Sequence, residues 1–146
     1  MMIVPLEPTH LEQVEEIEDS DGDVHWERSQ FERELSGDTV RFFVVMEEGT
    51  PEVLGYGGYW KAGPEAQITN LVVRKEFRRR GIGKRLLEFL IDCARGEMCT
   101  TCTLELRQSN EHARSLYKSM GFEVKGTRPR IYEDPVEDAV LMEKEL

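Results

Sequence analysis

Arg78-Arg79-Arg80-Gly81-Ile82-Gly83-Lys84 stands between an apolar run, Ile68-Thr69-Asn70-Leu71-Val72-Val73, and a segment of helical periodicity. Glycines at such a junction let the backbone turn sharply and come close to a ligand. The first-turn N–H groups of a helix have no intrahelical partners, so a phosphate fits there. Spacing excludes two familiar phosphate loops. A Walker loop needs glycine where Arg78 stands and Ser or Thr where Arg85 stands. A dinucleotide fingerprint needs a third glycine at Leu86. What remains is Arg-x-x-Gly-x-Gly after a strand, a cradle for some other phosphate ligand.

Around this loop the chain has 146 residues, the size of one domain spanning residues 1–146, enough to bury about two thirds of its unfolded surface. Met1-Met2-Ile3-Val4-Pro5 lacks the basic-then-apolar layout of a secretory leader, and apolar runs are short, Phe42 to Met46 being typical. A cytoplasmic protein without membrane association is expected. Cys93, Cys99 and Cys102 are too few and too close for a disulfide framework, and no histidine beside them completes a zinc site, so no metal is expected. The net charge of −10 argues against direct nucleic-acid binding. Its distribution says more than its total. Residues 1–27 hold nine acids and no Lys or Arg, whereas residues 74–85 hold seven basic residues and the single acid Glu76. A polyanionic cosubstrate and a cationic acceptor suit such a chain, Asp19, Asp21 and Asp23 being placed to draw basic peptides; a solvated acidic face is the alternative.

The layout reads as a short strand, Ile3 to Leu6, then a helix opened by the capping box Thr9-x-x-Glu12 with Leu11, Val14 and Ile17 on one face. An acidic turn, Asp19 to Asp23, ends it. A second helix covers Glu27 to Leu35. Strands Arg41 to Glu47, Val53 to Trp60 and Gln67 to Val73 follow as an antiparallel meander. After the basic loop, Ile82, Leu86, Leu87, Leu90, Ile91 and Ala94 form a helical stripe. Thr101 to Arg107 alternates, with Cys102, Leu104 and Leu106 on one face and Thr103, Glu105 and Arg107 on the other. Ser109 or Asn110 caps a further helix with the stripe Ala113, Leu116, Tyr117 and Met120, and strands near Phe122 to Gly126 and Ala139 to Glu143 close the chain. The order βααβββαβαββ predicts an α/β fold with helices on both faces of a mixed sheet.

The loop and the strand before it resemble the pyrophosphate motif of the GNAT superfamily of N-acetyltransferases. Leu104-Glu105-Leu106-Arg107-Gln108-Ser109-Asn110, with Ala113, Leu116-Tyr117 and Gly121-Phe122, resembles the Leu-Glu-Val-Arg-x-Ser-Asn…Leu-Tyr-x-x-x-Gly-Phe block of its ribosomal-protein-alanine N-acetyltransferases, the RimI group. Arg130-Ile131-Tyr132…Glu137-Asp138-Ala139-Val140-Leu141-Met142 resembles that group's Asn-Tyr-Tyr…Glu-Asp-Ala-x-x-Met ending. The likeness covers residues 67–142 and weakens earlier, where His25-Trp26 resembles the family's substrate-side loop. Arg130-Ile131 departs from the family's usual Arg-Asn-Tyr.

Amide formation from a thioester needs a deprotonated amine, a stabilised oxyanion and a proton for the departing thiolate. From pattern alone, Glu105 is either a base or a strand residue paired with Arg107, and Tyr117 is either an acid or core. The resemblance implies acetyl-CoA as cosubstrate, Glu105 as general base and Tyr117 as general acid. It further implies that Asn110 contacts the pantetheine arm, that the backbone of Leu71, Val72 and Val73 pairs with that arm, and that Arg78, Arg79, Arg80, Gly81, Ile82, Gly83 and Lys84 hold the pyrophosphate. Trp26 and Tyr132 fall to the acceptor, which the resemblance gives as a protein N-terminus, the alanine of a ribosomal protein foremost. Acetylation of a small amine or a lysine is the nearest alternative. A non-catalytic acyl-CoA-binding module would keep the basic loop and need neither Glu105 nor Tyr117.

Overall fold

The computed structural model describes residues 1–21 and 27–146. Its elements run β1 (Met2–Pro5), α1 (Leu11–Asp21), α2 (Arg28–Leu35), β2 (Val40–Met46), β3 (Val53–Ala62), β4 (Glu65–Val73), α3 (Ile82–Gly96), β5 (Thr101–Arg107), α4 (Glu111–Ser119), β6 (Glu123–Tyr132) and β7 (Glu137–Glu145). The order is the expected one, in a mixed seven-stranded sheet ordered β1-β2-β3-β4-β5-β7-β6. Strands β1 to β4 form the antiparallel meander; β4 and β5 run parallel.

Three local expectations change: α1 runs on through Asp19 and Ser20 to Asp21, so the acidic turn expected from Asp19 does not begin there. The first helix is not opened by Thr9: a 3-10 turn, Pro8–His10, precedes it, and the capping box is formed by Glu7 and His10, whose Nδ1 accepts from the Glu7 N–H at 3.0 Å. Proline in the first turn keeps that opening compact because its missing N–H would be unsatisfied there anyway. Strand β6 is twice the predicted length, continuing through Gly126 and Pro129 to Tyr132. Those breakers are tolerated because β6 is an edge strand, paired only with β7.

Helices cover both faces. Leu11, Val14 and Ile17 of α1 and Phe31 of α2 pack on Phe42, Val44 and Tyr56. On the other face α3 lies across the middle of the sheet: Leu86 and Leu90 pack with Leu54, Tyr59 and Ala66, while Leu87 and Ile91 pack with Cys102, Leu104, Leu106 and Met142. The predicted stripe of α3 is buried at all six positions. Fully burying a leucine is worth about 1.5–3 kcal/mol, so this helix ties the two halves of the sheet together. Among the described residues, no helix is long and apolar enough to cross a membrane.

At the end of α3, Glu97 accepts three hydrogen bonds from Arg41, Nε to Oε1 at 2.8 Å and to Oε2 at 3.1 Å and Nη2 to Oε2 at 2.7 Å, and a short one from the Tyr59 hydroxyl. The bond from Arg41 holds the Glu97 carboxyl below its usual range, while burial, then the bond to Glu97, holds the Tyr59 hydroxyl protonated far above neutrality. Glu97→Ala is expected to lower stability by about 1–3 kcal/mol, read from the urea midpoint, because the Tyr59 hydroxyl is left buried without its acceptor. Since the folded-state pKa of Glu97 is depressed, its contribution is present above the unfolded value of about 4.3 and lost as pH falls below it.

Candidate active site

The parallel pairing of β4 and β5 extends over three positions, Glu65 with Thr101, Ala66 with Cys102 and Gln67 with Thr103. Beyond Gln67, β4 stays paired with β3 as far as Val73, and β5 stays paired with β7 as far as Arg107, so the sheet splits between its central strands. The split has a polar wall. The Arg74 N–H donates to the Leu54 carbonyl at 2.8 Å, on the β3 side. Strand alternation therefore directs the N–H groups of Val72 and Asn70 towards β3 and those of Leu71 and Val73 into the split. Side chains alternate too: Val72 packs with the α1–α2 core, and Leu71 and Val73 with the α3 core.

The basic loop opens beside the far end of β4. Gly81 is the N-cap of α3 with φ +76°, a conformation that costs a side chain dear, and no side chain caps this helix end. Gly83 lies in the first turn; a β-carbon there would meet only the Val73 side chain, at 3.7 Å. The bare surface at Gly83 and the uncapped amides form a cradle open to an anion. The arginines divide. Arg78 Nε donates to the Val73 carbonyl at 3.1 Å, Arg80 lies over the Phe77 ring at 5.4 Å, and Arg79, at φ +66°, is exposed like Lys84.

Glu105 lies on the face of β5 opposite Leu104 and Leu106, with its side chain 17% exposed. It does not pair with Arg107. Arg107 instead donates to Glu137 at 3.2 Å and to the Glu133 and Pro135 carbonyls, and lies 4.7 Å over the Tyr132 ring. The strand-residue alternative for Glu105 thus loses its proposed partner. Glu105 Oε1 accepts from Arg128 Nη1 at 2.6 Å, and Oε2 is buried without a hydrogen-bond partner among the described residues. Tyr117 is half-buried on α4, its ring 6.0 Å from that of Phe122. It packs with Leu104, Leu106 and Leu87, on the side of the sheet opposite Glu105. Asn110 caps α4, its Oδ1 accepting from the Ala113 N–H at 3.1 Å. Tyr132 is buried beneath Arg107 at the end of β6. Trp26, with His25 and Asp23, lies outside the described residues.

A polar cluster escaped the sequence reading. Glu18 of α1 and Asn70 of β4 are buried against Tyr56; Asn70 Nδ2 donates to Glu18 Oε1 at 3.2 Å and approaches the Tyr56 hydroxyl at 3.3 Å. Glu18 occupies a place where the stripe Leu11, Val14 calls for an apolar residue, which is the signal that could have found it. The N-terminal acids therefore do not form one solvated face: Glu18 is internal, and Glu16 pairs with Arg74 at 2.8 Å. Burial pushes the Cys102 thiol up to about 12, so it is no nucleophile at neutral pH.

Residues 11–122 match the acetyltransferase (GNAT) family. A Bacillus subtilis relative, provisionally named a [ribosomal protein bS18]-alanine N-acetyltransferase, is 32% identical over 132 residues, 90% of this chain and 87% of its own. The N-alpha-acetyltransferase RimI of Mycobacterium tuberculosis is 34% identical over 128 residues, 85% of this chain and 78% of its own. The crystal structure of the ribosomal-protein-S18-alanine N-acetyltransferase of Escherichia coli superposes with a TM-score of 0.88 at 30% identity, covering 99% of this chain and 92% of that one.

Proposed function

This chain belongs to the acetyltransferase (GNAT) family and is an acetyl-CoA-dependent N-acetyltransferase, and from that premise we propose that its acceptor is a protein N-terminal α-amine, the alanine of a ribosomal protein foremost. The observation that carries the reading is the split between β4 and β5, with an anion cradle at one end and a half-buried carboxylate, Glu105, in its wall. An extended pantetheine-like arm in that split meets the free N–H groups of Leu71 and Val73, and the pyrophosphate meets the first turn of α3. Asn110, fixed by its capping bond, borders the arm. Tyr132 and Trp26 are assigned to the acceptor side. Such an enzyme works in the cytoplasm, where ribosomal proteins are made.

In this reading Glu105 Oε2 takes one proton of the acceptor ammonium, directly or through a water; as the C–S bond breaks the Tyr117 hydroxyl gives its proton to the departing sulfur, and the second proton, lost from the acylated nitrogen, restores Tyr117 through water. The acetyl group passes straight to the amine nitrogen, with the carbonyl oxygen polarised by the β4 N–H groups. No covalent enzyme intermediate is needed. Proton costs favour an N-terminus: at pH 7, deprotonating an α-amine of pKa 7.7–8.0 costs about 1–1.4 kcal/mol, against about 4.6 for a lysine of pKa about 10.4. The relatives' names point the same way.

The test is acetyl-CoA turnover on a peptide panel varying the first residue, with an N-blocked lysine peptide as control. Highest kcat/KM on alanine-first peptides is expected; preference for the blocked lysine peptide overturns the reading. For the cradle, Gly83→Val is expected to weaken CoA binding at least tenfold, and by no less than Arg79→Ala, whose exposed charge is partly screened. Titration calorimetry with CoA checks both. Unchanged affinity in the Gly83 variant would remove the cradle.

A further inference from the structure

We propose that Arg128 is a positioning residue for the base: it holds Oε1 of Glu105 so that Oε2 alone faces the acceptor amine. The proposal rests on the reading of Glu105 as base given above.

Four observations carry it. Arg128 belongs to β6, two strands away from Glu105, and its guanidinium reaches past β7 to place Nη1 2.6 Å from Oε1. The contact is one-pronged, leaving Oε2 buried and without a hydrogen-bond partner among the described residues. A carboxylate with one oxygen anchored and the other bare has a single oxygen with which to take a proton. The backbone is shaped at this point: β6 pairs Arg128 with Ala139 and next pairs Tyr132 with Glu137, so it carries two extra residues immediately after Arg128, and Arg130 adopts φ +54°. An irregularity of this kind re-aims the residues beside it. Finally, Arg107, on the same face of β5 as Glu105, is committed, since it is bound to Glu137 and to the turn carbonyls of Glu133 and Pro135. The Arg128 head group is itself 56% exposed, which makes it a contact of small structural consequence and leaves orientation as its effect.

Without this anchor the carboxylate is free to turn about its last side-chain bond, and displacement of a reacting atom by about 1 Å costs up to about 10²-fold. Arg128→Met is therefore expected to lower kcat about tenfold with an unchanged KM for acetyl-CoA and an unchanged melting temperature. Arg128→Lys keeps a donor of the same charge and is expected to recover much of the loss. In a Glu105→Gln background, Arg128→Met is expected to change kcat less than twofold, because the group through which it acts is gone. Wild-type kcat in Arg128→Met, or an equal loss in both backgrounds, overturns the proposal. If Glu105→Gln alone keeps full turnover, the base reading itself falls and takes this one with it. An inactive Glu105→Gln beside a fully active Arg128→Met sinks the positioning role alone.

Discussion

Glu105→Gln is expected to lower kcat at pH 7 by about 10²–10⁴ while leaving CoA affinity and fold intact. Glutamine keeps the size of the side chain and removes its basicity. The pair it gives up has a partner 56% exposed, and such pairs are worth at most about 1 kcal/mol, too little to unfold a domain. Arg107, the neighbour that could have made Glu105 merely structural, is engaged elsewhere. Part of the rate should return as pH rises through 7.7–8.0, where an α-amine deprotonates unaided. Steady-state assays from pH 6.5 to 9 with a saturating peptide check this. Turnover near wild type at pH 7 would reduce Glu105 to a strand residue.

Tyr117→Phe is expected to fold and bind CoA normally and to lose about 10–10²-fold in kcat. Phenylalanine retains the ring that packs beside Phe122, so core and chemistry separate in this one substitution. A departing thiol of pKa about 8.5 receives its proton from a tyrosine of pKa about 10 at an uphill cost of about 2 kcal/mol, within reach of a positioned acid. Melting temperature measured beside specific activity decides the matter. A loss of several kcal/mol in stability with full activity in the folded fraction would return Tyr117 to the core.

Local chemistry was legible in the sequence where one element carries it whole. The stripe of α3 and the alternation of β5 are periodicities of the chain itself, and their buried faces are the predicted ones. The basic loop was legible for the same reason: glycine at a helix start reports its own conformation, as the φ of Gly81 demonstrates. What failed depended on neighbours. The length of β6 follows from its edge position, which lets Gly126 and Pro129 stay in a strand. The alternative for Glu105 considers only Arg107, two residues along the same strand, whereas its partner Arg128 lies 23 positions away and meets it because β7 returns between β5 and β6. Glu18 is one of the nine acids of residues 1–27, and a count of charges does not tell which face of a helix a residue occupies.

The three-pair junction between β4 and β5 also bears on how the molecule holds itself together. Past Gln67 and Thr103 the two half-sheets share no strand pairing among the described residues, and α3 is the beam laid over the gap, with Leu86 and Leu90 seated in one half and Leu87 and Ile91 in the other. An extended chain entering that gap does what an eighth strand would do. On the proposed reading its main-chain groups would take up the amides of Leu71 and Val73 and brace two half-sheets that are otherwise joined by three residue pairs and by α3. Bound in that way, the acetyl donor would also be a splint, stabilising the folded state by RT ln(1 + [L]/Kd), so that departure of the spent cosubstrate would leave a looser protein behind.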